Sequence, residues 1–498
     1  MKKVSYLLLV LFIISCSSKK EENEKINLLF IWTDQQRFDT MKAYGNDKIK
    51  VPNLNKLAEQ CIVFENAYVT QPVCTPSRSS VMTGLTPHTS GCYENNIPLR
   101  AETKTLPELI NDPEYRTAYM GKWHLGDEVF AQHGFLEWYA IEDGYHNHYS
   151  KGKDNDKKAR SSYHHWLVNK GKKPDTEDGR FSRGFSSNLP IEYGKPKFLE
   201  EKAIEFMEEN RDNPFILYVN FLEPHSPFSS TLNEYHDLDN LTVPEDFSVD
   251  DELSYRDVTR KFSGDNSTRD KVPDFVRRYW GLMSKVDMSV GKILDKLKEL
   301  GLDENTLIVY TSDHGEMLGS HGLKGKRFAF DESSRIPFLV KLPGIQKQRI
   351  VKEAVSQIDI APSIIDYLGY PVDESLEGKS MVDVWNGGEV KNNYVFFEMI
   401  KPKTVQDKVI DNVSSKMKIS KQDLKEAMAA SSRVVVSPDG WKMVVSNGDK
   451  NQLYNLKEDP LEYKNLYNDS KYSDVLSRLK AKILEWQKNT NDKLVLNF

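Results

Sequence analysis

Continuous apolar runs too short for helices punctuate the chain. Asn27–Thr33 reads NLLFIWT, Pro214–Leu222 reads PFILYVNFL and Thr306–Thr311 reads TLIVYT. A run of that length without polar alternation suits a strand covered on both faces, as in a parallel sheet. Each is followed closely by a polar or ionisable residue: Asp34, His225 and Asp313. Sites in open α/β sheets assemble beyond the carboxyl ends of strands, so these tips are expected to be neighbours although the first and last stand about 280 positions apart.

Helical periodicity is clearest over Phe275–Leu300, where Tyr279, Leu282, Met283, Val286, Val290, Ile293, Leu294 and Leu297 form one apolar face and Gly301 is the stop. Leu54–Gln60, Pro196–Glu209 and Ile358–Leu368 read as shorter helices. The alternation predicts an α/β fold: a large, mostly parallel or mixed central sheet sandwiched by helices. After about residue 385 the texture changes. Tyr394–Met399, Arg433–Val436, Trp441–Val445 and Gln452–Leu456 are short strand candidates separated by Asp439-Gly440 and Asn447-Gly448, which predicts a small antiparallel sheet, closed by a helix over Tyr472–Gln487. Lys401–Ala430, lysine-rich and polar, reads as an exposed insertion with helix from Lys421. Gly144–Gly179 reads as a polar loop carrying His146, His148, His164 and His165.

The first residues have a different pattern. Lys2 and Lys3 precede an apolar run from Tyr6 to Ile14 and then small residues around Cys16, the layout of an export signal. The ending Ile13-Ile14-Ser15-Cys16 resembles a bacterial lipoprotein signal, whose cleavage leaves a diacylated cysteine at the new N-terminus. The expected divisions are a signal peptide over 1–15, a lipid-anchored polar tether over 16–25, a catalytic domain over 26–385 and an antiparallel-sheet subdomain over 386–498. The expected location is outside the cytoplasm, in the periplasm or at the outer membrane or cell surface, held through lipidated Cys16.

Composition narrows the class further. The 498 residues carry 68 basic and 74 acidic side chains, a formal charge of −6, with 39% hydrophobic residues. That balance supports a large core and argues against disorder and against a dedicated nucleic-acid binder. Four cysteines are too few for a disulfide scaffold at this length, so stability must come from the core. Besides Cys16 they are Cys61, Cys74 and Cys92. Cys61 and Cys92 read as structural thiols, with a disulfide between them left open.

The sharpest local signal is Cys74-Thr75-Pro76-Ser77-Arg78 followed by Thr83-Gly84. Here the sequence resembles the sulfatase family of the alkaline-phosphatase-like superfamily, whose signature is Cys-x-Pro-x-Arg with a downstream Thr-Gly. The resemblance implies that Cys74 is converted by a formylglycine-generating enzyme to Cα-formylglycine (3-oxoalanine), whose hydrate supplies the nucleophilic oxygen. One geminal hydroxyl attacks sulfur; the other later loses its proton and expels sulfate by C–O cleavage. Further blocks follow in family order. Asp34-Gln35 and Asp313-His314, the latter inside TSDHG, match the family's two metal-ligand pairs and, with residue 74, imply one divalent cation, calcium being the usual occupant. The familiar pattern has Asp-Asp and often Asp-Asn, so the loss of one carboxylate leaves manganese or another metal open.

Gly121-Lys122-Trp123-His124-Leu125-Gly126 matches the next block. By resemblance Lys122 contacts nucleophile and sulfate, His124 takes a proton from the hydrate and Arg78 orients it. Cationic donors suit charge developing on a leaving oxygen. Glu223-Pro224-His225-Ser226-Pro227 resembles the family's Pro-His-x-Pro element, implying that His225 contacts sulfate and protonates the leaving group. Lys326 matches a distal lysine bridging sulfate and leaving group, with Lys324 and Arg327 as rivals. Asp359-Ile360-Ala361-Pro362-Ser363, Leu453-Tyr454-Asn455-Leu456, Asp459-Pro460 and Asn465-Leu466 extend the resemblance to nearly the whole chain.

These matches imply a sulfatase acting on a sulfated oligo- or polysaccharide such as ulvan, carrageenan or a glycosaminoglycan. Arg160, Arg180 and Arg183, with the histidines of the polar loop, are candidate readers of uronates or further sulfates, or a solvated loop. The Asp-Gln and Asp-His pairs also fit relatives that cleave phosphonate monoesters or phosphodiesters with the same nucleophile, which is the alternative enzyme class. A decayed glycan-binding lipoprotein is the alternative outside enzymes; decay should have damaged these blocks, and each holds chemically competent residues.

Overall fold

The computed structural model describes residues 25–143, 159–244, 252–263, 271–400 and 407–498. The expected signal peptide, Cys16, nearly all of the tether, His146 and His148 lie outside the described residues. Strands β1 (Asn27–Asp34), β2 (Ile62–Tyr68), β3 (Arg116–Gly121), β4 (Glu137–Tyr139), β5 (Phe215–Pro224), β6 (Thr306–Ser312), β7 (Arg335–Lys341) and β8 (Arg349–Ser356) form one sheet in the order β4-β3-β5-β1-β6-β7-β2-β8. All neighbours run parallel except β7, which is antiparallel to both β6 and β2.

The apolar runs are buried on both faces because strand side chains alternate sides. Leu29 and Ile31 of β1 enter one cluster with Leu217 and Val219 of β5 and with Val286, Val290 and Ile293 of the helix Val272–Glu299. Leu28, Phe30 and Trp32 enter the opposite cluster with Tyr218, Val309 and the helix Ile360–Tyr367. Cys61 belongs to the first cluster and Cys92 to the second. Both are free, so no disulfide joins them.

A second, antiparallel sheet follows: β9 (Val395–Met399), β10 (Ser432–Val436), β11 (Trp441–Ser446) and β12 (Gln452–Asn455), ordered β12-β11-β10-β9. The helix Ser473–Asn489 covers it through Leu479 and Ile483. Two expectations need correction. The lysine-rich insertion has the helix expected from Lys421, Lys421–Ala429, but also a second one, Asp407–Met417, and the pair is packed: Ile410, Val413, Leu424 and Met428 join Val258 of the helix Tyr255–Ser263 in a third cluster. The polar loop contains a helix, Ser162–Asn169, capped by Ser161 and buried through Tyr163, His164 and Leu167. In the pair a one-sided apolar stripe is diluted by charged neighbours, and in Ser162–Asn169 by polar and histidine residues, so composition hides it.

Candidate active site

Register brings the three strand tips together. Thr33 pairs with Ser312 across β1 and β6, and Asp34 pairs with Pro224 across β1 and β5. Asp34, Asp313 and His225 therefore leave the sheet side by side, and the amide of Asp313 donates to the Thr33 carbonyl at 3.2 Å. Gln35, at φ 71°, turns the chain so that its own amide donates to Asp313 Oδ1 at 3.0 Å. Gly315 explains the tight turn after the Asp-His pair, since a Cβ there would lie 2.0 Å from the Glu332 carbonyl oxygen.

Over this rim lies the helix Cys74–Thr83, buried along its whole length, with Cys74 in its first turn. A helix N-terminus favours an anion, which suits a nucleophilic position. Arg78, four residues on, projects from the same face. Its Nε donates to Asp313 Oδ2 at 2.8 Å and its Nη1 to the Lys122 carbonyl at 2.7 Å, while its guanidinium lies 4.7 Å from the Trp32 ring centre.

Cys74 Sγ lies 2.8 Å from Lys326 Nζ, 3.2 Å from His314 Nε2, and 3.8 Å from both Asp34 Oδ1 and Lys122 Nζ. Burial and Asp34 oppose ionisation of this thiol, yet Lys122, Lys326 and His314 together hold it well below the usual thiol range. Asp34 is likewise held down, because the cations Lys122, Lys326 and Arg78 outweigh its burial. Asp313 goes the other way, pushed up by burial and by Asp34.

Asp34, Cys74, Asp313 and His314 offer donor atoms within 4.8 Å of one another. His314 Nδ1 faces the Gly315 carbonyl at 2.8 Å, an acceptor only, so Nδ1 carries a proton and Nε2 is the ring atom turned toward the carboxylates. Two buried carboxylates, an imidazole lone pair and the amide oxygen of Gln35 fit a divalent cation. Gln35 Oε1 accepts from Lys326 at 3.1 Å, and its Nε2 donates to Glu316.

The remaining expected residues occupy distinct places. Lys122 is fully buried and pairs with Asp34. It follows Gly121, where a Cβ would meet the Asn220 carbonyl oxygen at 1.8 Å, so the turn that aims it requires glycine. His124 contributes its carbonyl to the Thr75 hydroxyl at 2.8 Å and its ring Nε2 to Asn96 at 2.9 Å. His225 Nδ1 donates to the Ser226 carbonyl at 2.8 Å and has Arg183 Nη1 3.5 Å away. Burial, with Lys326, Lys122 and Arg183, keeps that imidazole neutral against the pull of Asp34. Of the three rival cations only Lys326 reaches Cys74: Lys324 lies over the Phe275 ring at 3.9 Å, and Arg327 pairs with Glu94.

Sequence reading missed Glu316, Asn96 and Glu128. Glu316 holds Gln35 and accepts from the Leu318 amide, and a signal for it exists: a carboxylate three residues beyond Asp313 in the same block. Of the cations proposed to read substrate, three are carboxylate-paired, Arg180 with Asp178, Arg183 with Glu142, and His164 with Asp143, while Arg160 donates to the Ala159 and Asp178 carbonyls.

A buried cysteine at a helix N-terminus thus stands above strand tips carrying carboxylates, a histidine and buried cations, on a fold of the alkaline-phosphatase-like class. The sulfatase family profile matches residues 26–370, and the chain belongs to that family. It is 29% identical over 391 residues to an ulvan-active sulfatase of Formosa agariphila, covering 75% of this chain and 68% of that protein. It is 26% identical to an N-acetylglucosamine-6-O-sulfatase of Bacteroides thetaiotaomicron, covering 97% and 90%. Among solved structures, the phosphonate monoester hydrolase of Agrobacterium radiobacter superposes with a TM-score of 0.75 at 23% identity, covering 94% of this chain and 96% of that one, and shares the fold. The protein is a sulfuric ester hydrolase.

Proposed function

We propose that the protein removes sulfate from a sulfated carbohydrate outside the cytoplasm, with residue 74 acting as Cα-formylglycine beside one divalent cation. The observation that carries this reading is the surroundings of Cys74 Sγ: Lys326 at 2.8 Å, His314 at 3.2 Å, and Asp34 and Lys122 at 3.8 Å. The hydrated aldehyde would supply the attacking oxygen and its second hydroxyl, and Asp34, Gln35, Asp313 and His314 would hold the cation, which when bound would supply positive charge for sulfate oxygens.

The chain's own side chains do the rest. Lys122 and Lys326 donate to the sulfate oxygens, where charge develops in a water-poor site. Arg78 holds Asp313 and the Lys122 carbonyl, fixing the floor on which residue 74 sits. His124 receives the hydroxyl proton when the aldehyde reforms. His225 protonates the leaving oxygen; because the free site keeps it neutral, the bound sulfate anion must raise its proton affinity first. A sugar alcohol leaves poorly, so this proton matters more than for a phenol.

The two glycan-sulfatase relatives support a carbohydrate substrate. A cavity of about 360 Å³ borders His225 through Arg183 and is walled by Tyr163, His164, Phe181 and Lys195, which suits a sugar ring. Because its cations are already carboxylate-paired, it would read the sugar through fixed hydrogen bonds more than through net charge. Attachment through lipidated Cys16 and maturation by a formylglycine-generating enzyme complete the proposal.

The test joins peptide mass analysis around Cys74 to sulfate release from a panel of sulfated oligosaccharides. Conversion lowers the residue mass by roughly 18 Da, as replacing CH₂SH with CHO requires. Cys74→Ala is expected to keep the fold and abolish turnover, and surviving turnover would overturn the mechanism. The second reading, a phosphonate monoester or phosphodiester hydrolase, is favoured by Gln35 and His314 in the donor set. Phosphate- or phosphonate-ester release far exceeding sulfate release would establish it instead.

A further inference from the structure

Glu128 is fully buried and stands outside the residues assigned above, yet its carboxylate spans the turn that carries two of them. Oε2 accepts from the Trp123 amide at 2.9 Å and Oε1 from the His124 amide at 2.7 Å. His124 has φ 61°, a left-handed conformation that costs a non-glycine residue energy unless its surroundings enforce it. Two consecutive amides bound by one carboxylate do so. The turn is also fixed at its rim: the Glu128 carbonyl accepts from Trp138 Nε1 at 2.8 Å, and the His124 carbonyl accepts from Thr75, beside the nucleophile.

We propose that Glu128 is a positioning residue whose ionised carboxylate clamps the Lys122–His124 turn so that Lys122 faces residue 74 and the His124 carbonyl stays on Thr75 beside it. Burial pushes this carboxyl up to about 7, helped by Glu142 and opposed by the two amides and Lys122; Tyr119 is the other titratable group facing it. Protonation puts a hydroxyl where one amide needs an acceptor, so the clamp loosens as pH falls through that value.

This inference rests on the role proposed for Lys122 and His124, and the experiment separates the two. In unconverted protein carrying ¹⁵N-tryptophan, the Trp123 amide is expected to titrate with a midpoint of about 7, and Glu128→Gln to remove that titration. In converted enzyme, Glu128→Gln is expected to lower kcat roughly tenfold or more with KM within about threefold, and to flatten the acid limb of the kcat profile. Glu128→Asp, a carboxylate one carbon short, should fall between. The proposal is overturned by a folded Glu128→Gln enzyme with unchanged kcat, by a Trp123 amide that does not respond to pH, or by failure of both variants to fold. Turnover surviving Cys74→Ala would instead sink the assignment of the nucleophile and leave the amide titration untouched.

Discussion

Arg78 is the residue on which the site's charge balance turns. Fully buried, it bonds Asp313 and lies 3.5 Å from Asp34, two carboxylates that are themselves fully buried. Removing one partner of a buried ionic network leaves uncompensated charge, at a cost of roughly 3–5 kcal/mol. Arg78→Ala in chelated protein should therefore melt well below the parent, and Arg78→Lys should keep charge but lose the fork that serves Asp313 and the Lys122 carbonyl together. We expect kcat of the lysine variant to fall by about two orders of magnitude; a melting point and kcat close to the parent's would refute this account. At this scale the sequence was informative wherever function is written in a contiguous block, as in Cys74 to Arg78 or Asp313-His314. It was silent on Glu128 and Asn96, whose partners lie across turns, whereas Glu316 carried a signal three residues beyond Asp313 that was not read. Spacing alone did not separate Lys324, Lys326 and Arg327, because left-handed residues at Gly325 and Arg327 throw their side chains in different directions.

Among elements, the helix Tyr255–Ser263 connects the lysine-rich pair to the active-site loop. Its Arg260 donates to the carbonyls of Lys326 at 2.7 Å and Arg327 at 2.8 Å and lies 3.9 Å from the Phe328 ring centre. Behind it pack Val413 and Leu424 of the pair. Arg260→Ala removes both donors and should lower kcat/KM about tenfold, the effect of losing charge-assisted hydrogen bonds at a positioned group. Val413→Asp, a charge in an apolar seat, should produce the same kinetic loss from a distance, accompanied by faster amide exchange confined to the two helices. Wild-type kinetics in a folded Val413→Asp protein would show that the pair does not reach Lys326. The long runs of β1, β5 and β6 were readable because strands buried on both faces leave no polar alternation. β2 and β3 were not, since IVFENAY and RTAYMG mix polar and apolar positions. Of the helical pair, Lys421–Ala429 was legible as helix from Lys421, whereas Asp407–Met417 was hidden because its buried stripe is narrow and its surround is lysine-rich.

For the whole molecule, the question is what fastens the antiparallel sheet to the catalytic sheet. One fastening is a buried ionic group, Lys442 of β11 at 2.8 Å from both Asp331 and Glu462. Another is a histidine with a readable charge state. His88 Nδ1 lies 2.6 Å from Glu398 of β9, and its Nε2 lies 3.0 Å from the Thr490 carbonyl just past the helix Ser473–Asn489. Both partners accept only, so both ring nitrogens must carry protons and the side chain is an imidazolium. Burial works against that charge, but Glu398 and the Thr490 carbonyl prevail and raise the pKa above its ordinary 6.5. A histidine raised on folding contributes stability in full below its unfolded pKa and loses it as pH climbs through the folded one. His88→Gln should accordingly melt a few degrees below the parent at pH 6, with the gap closing as the pH climbs above 6.5. The variant should also release the C-terminal helix to proteolysis at low pH more than at high pH. A melting gap of constant size across that range would mean that the ring acts through packing on Trp486, 5.7 Å away, and that its charge contributes nothing to the junction.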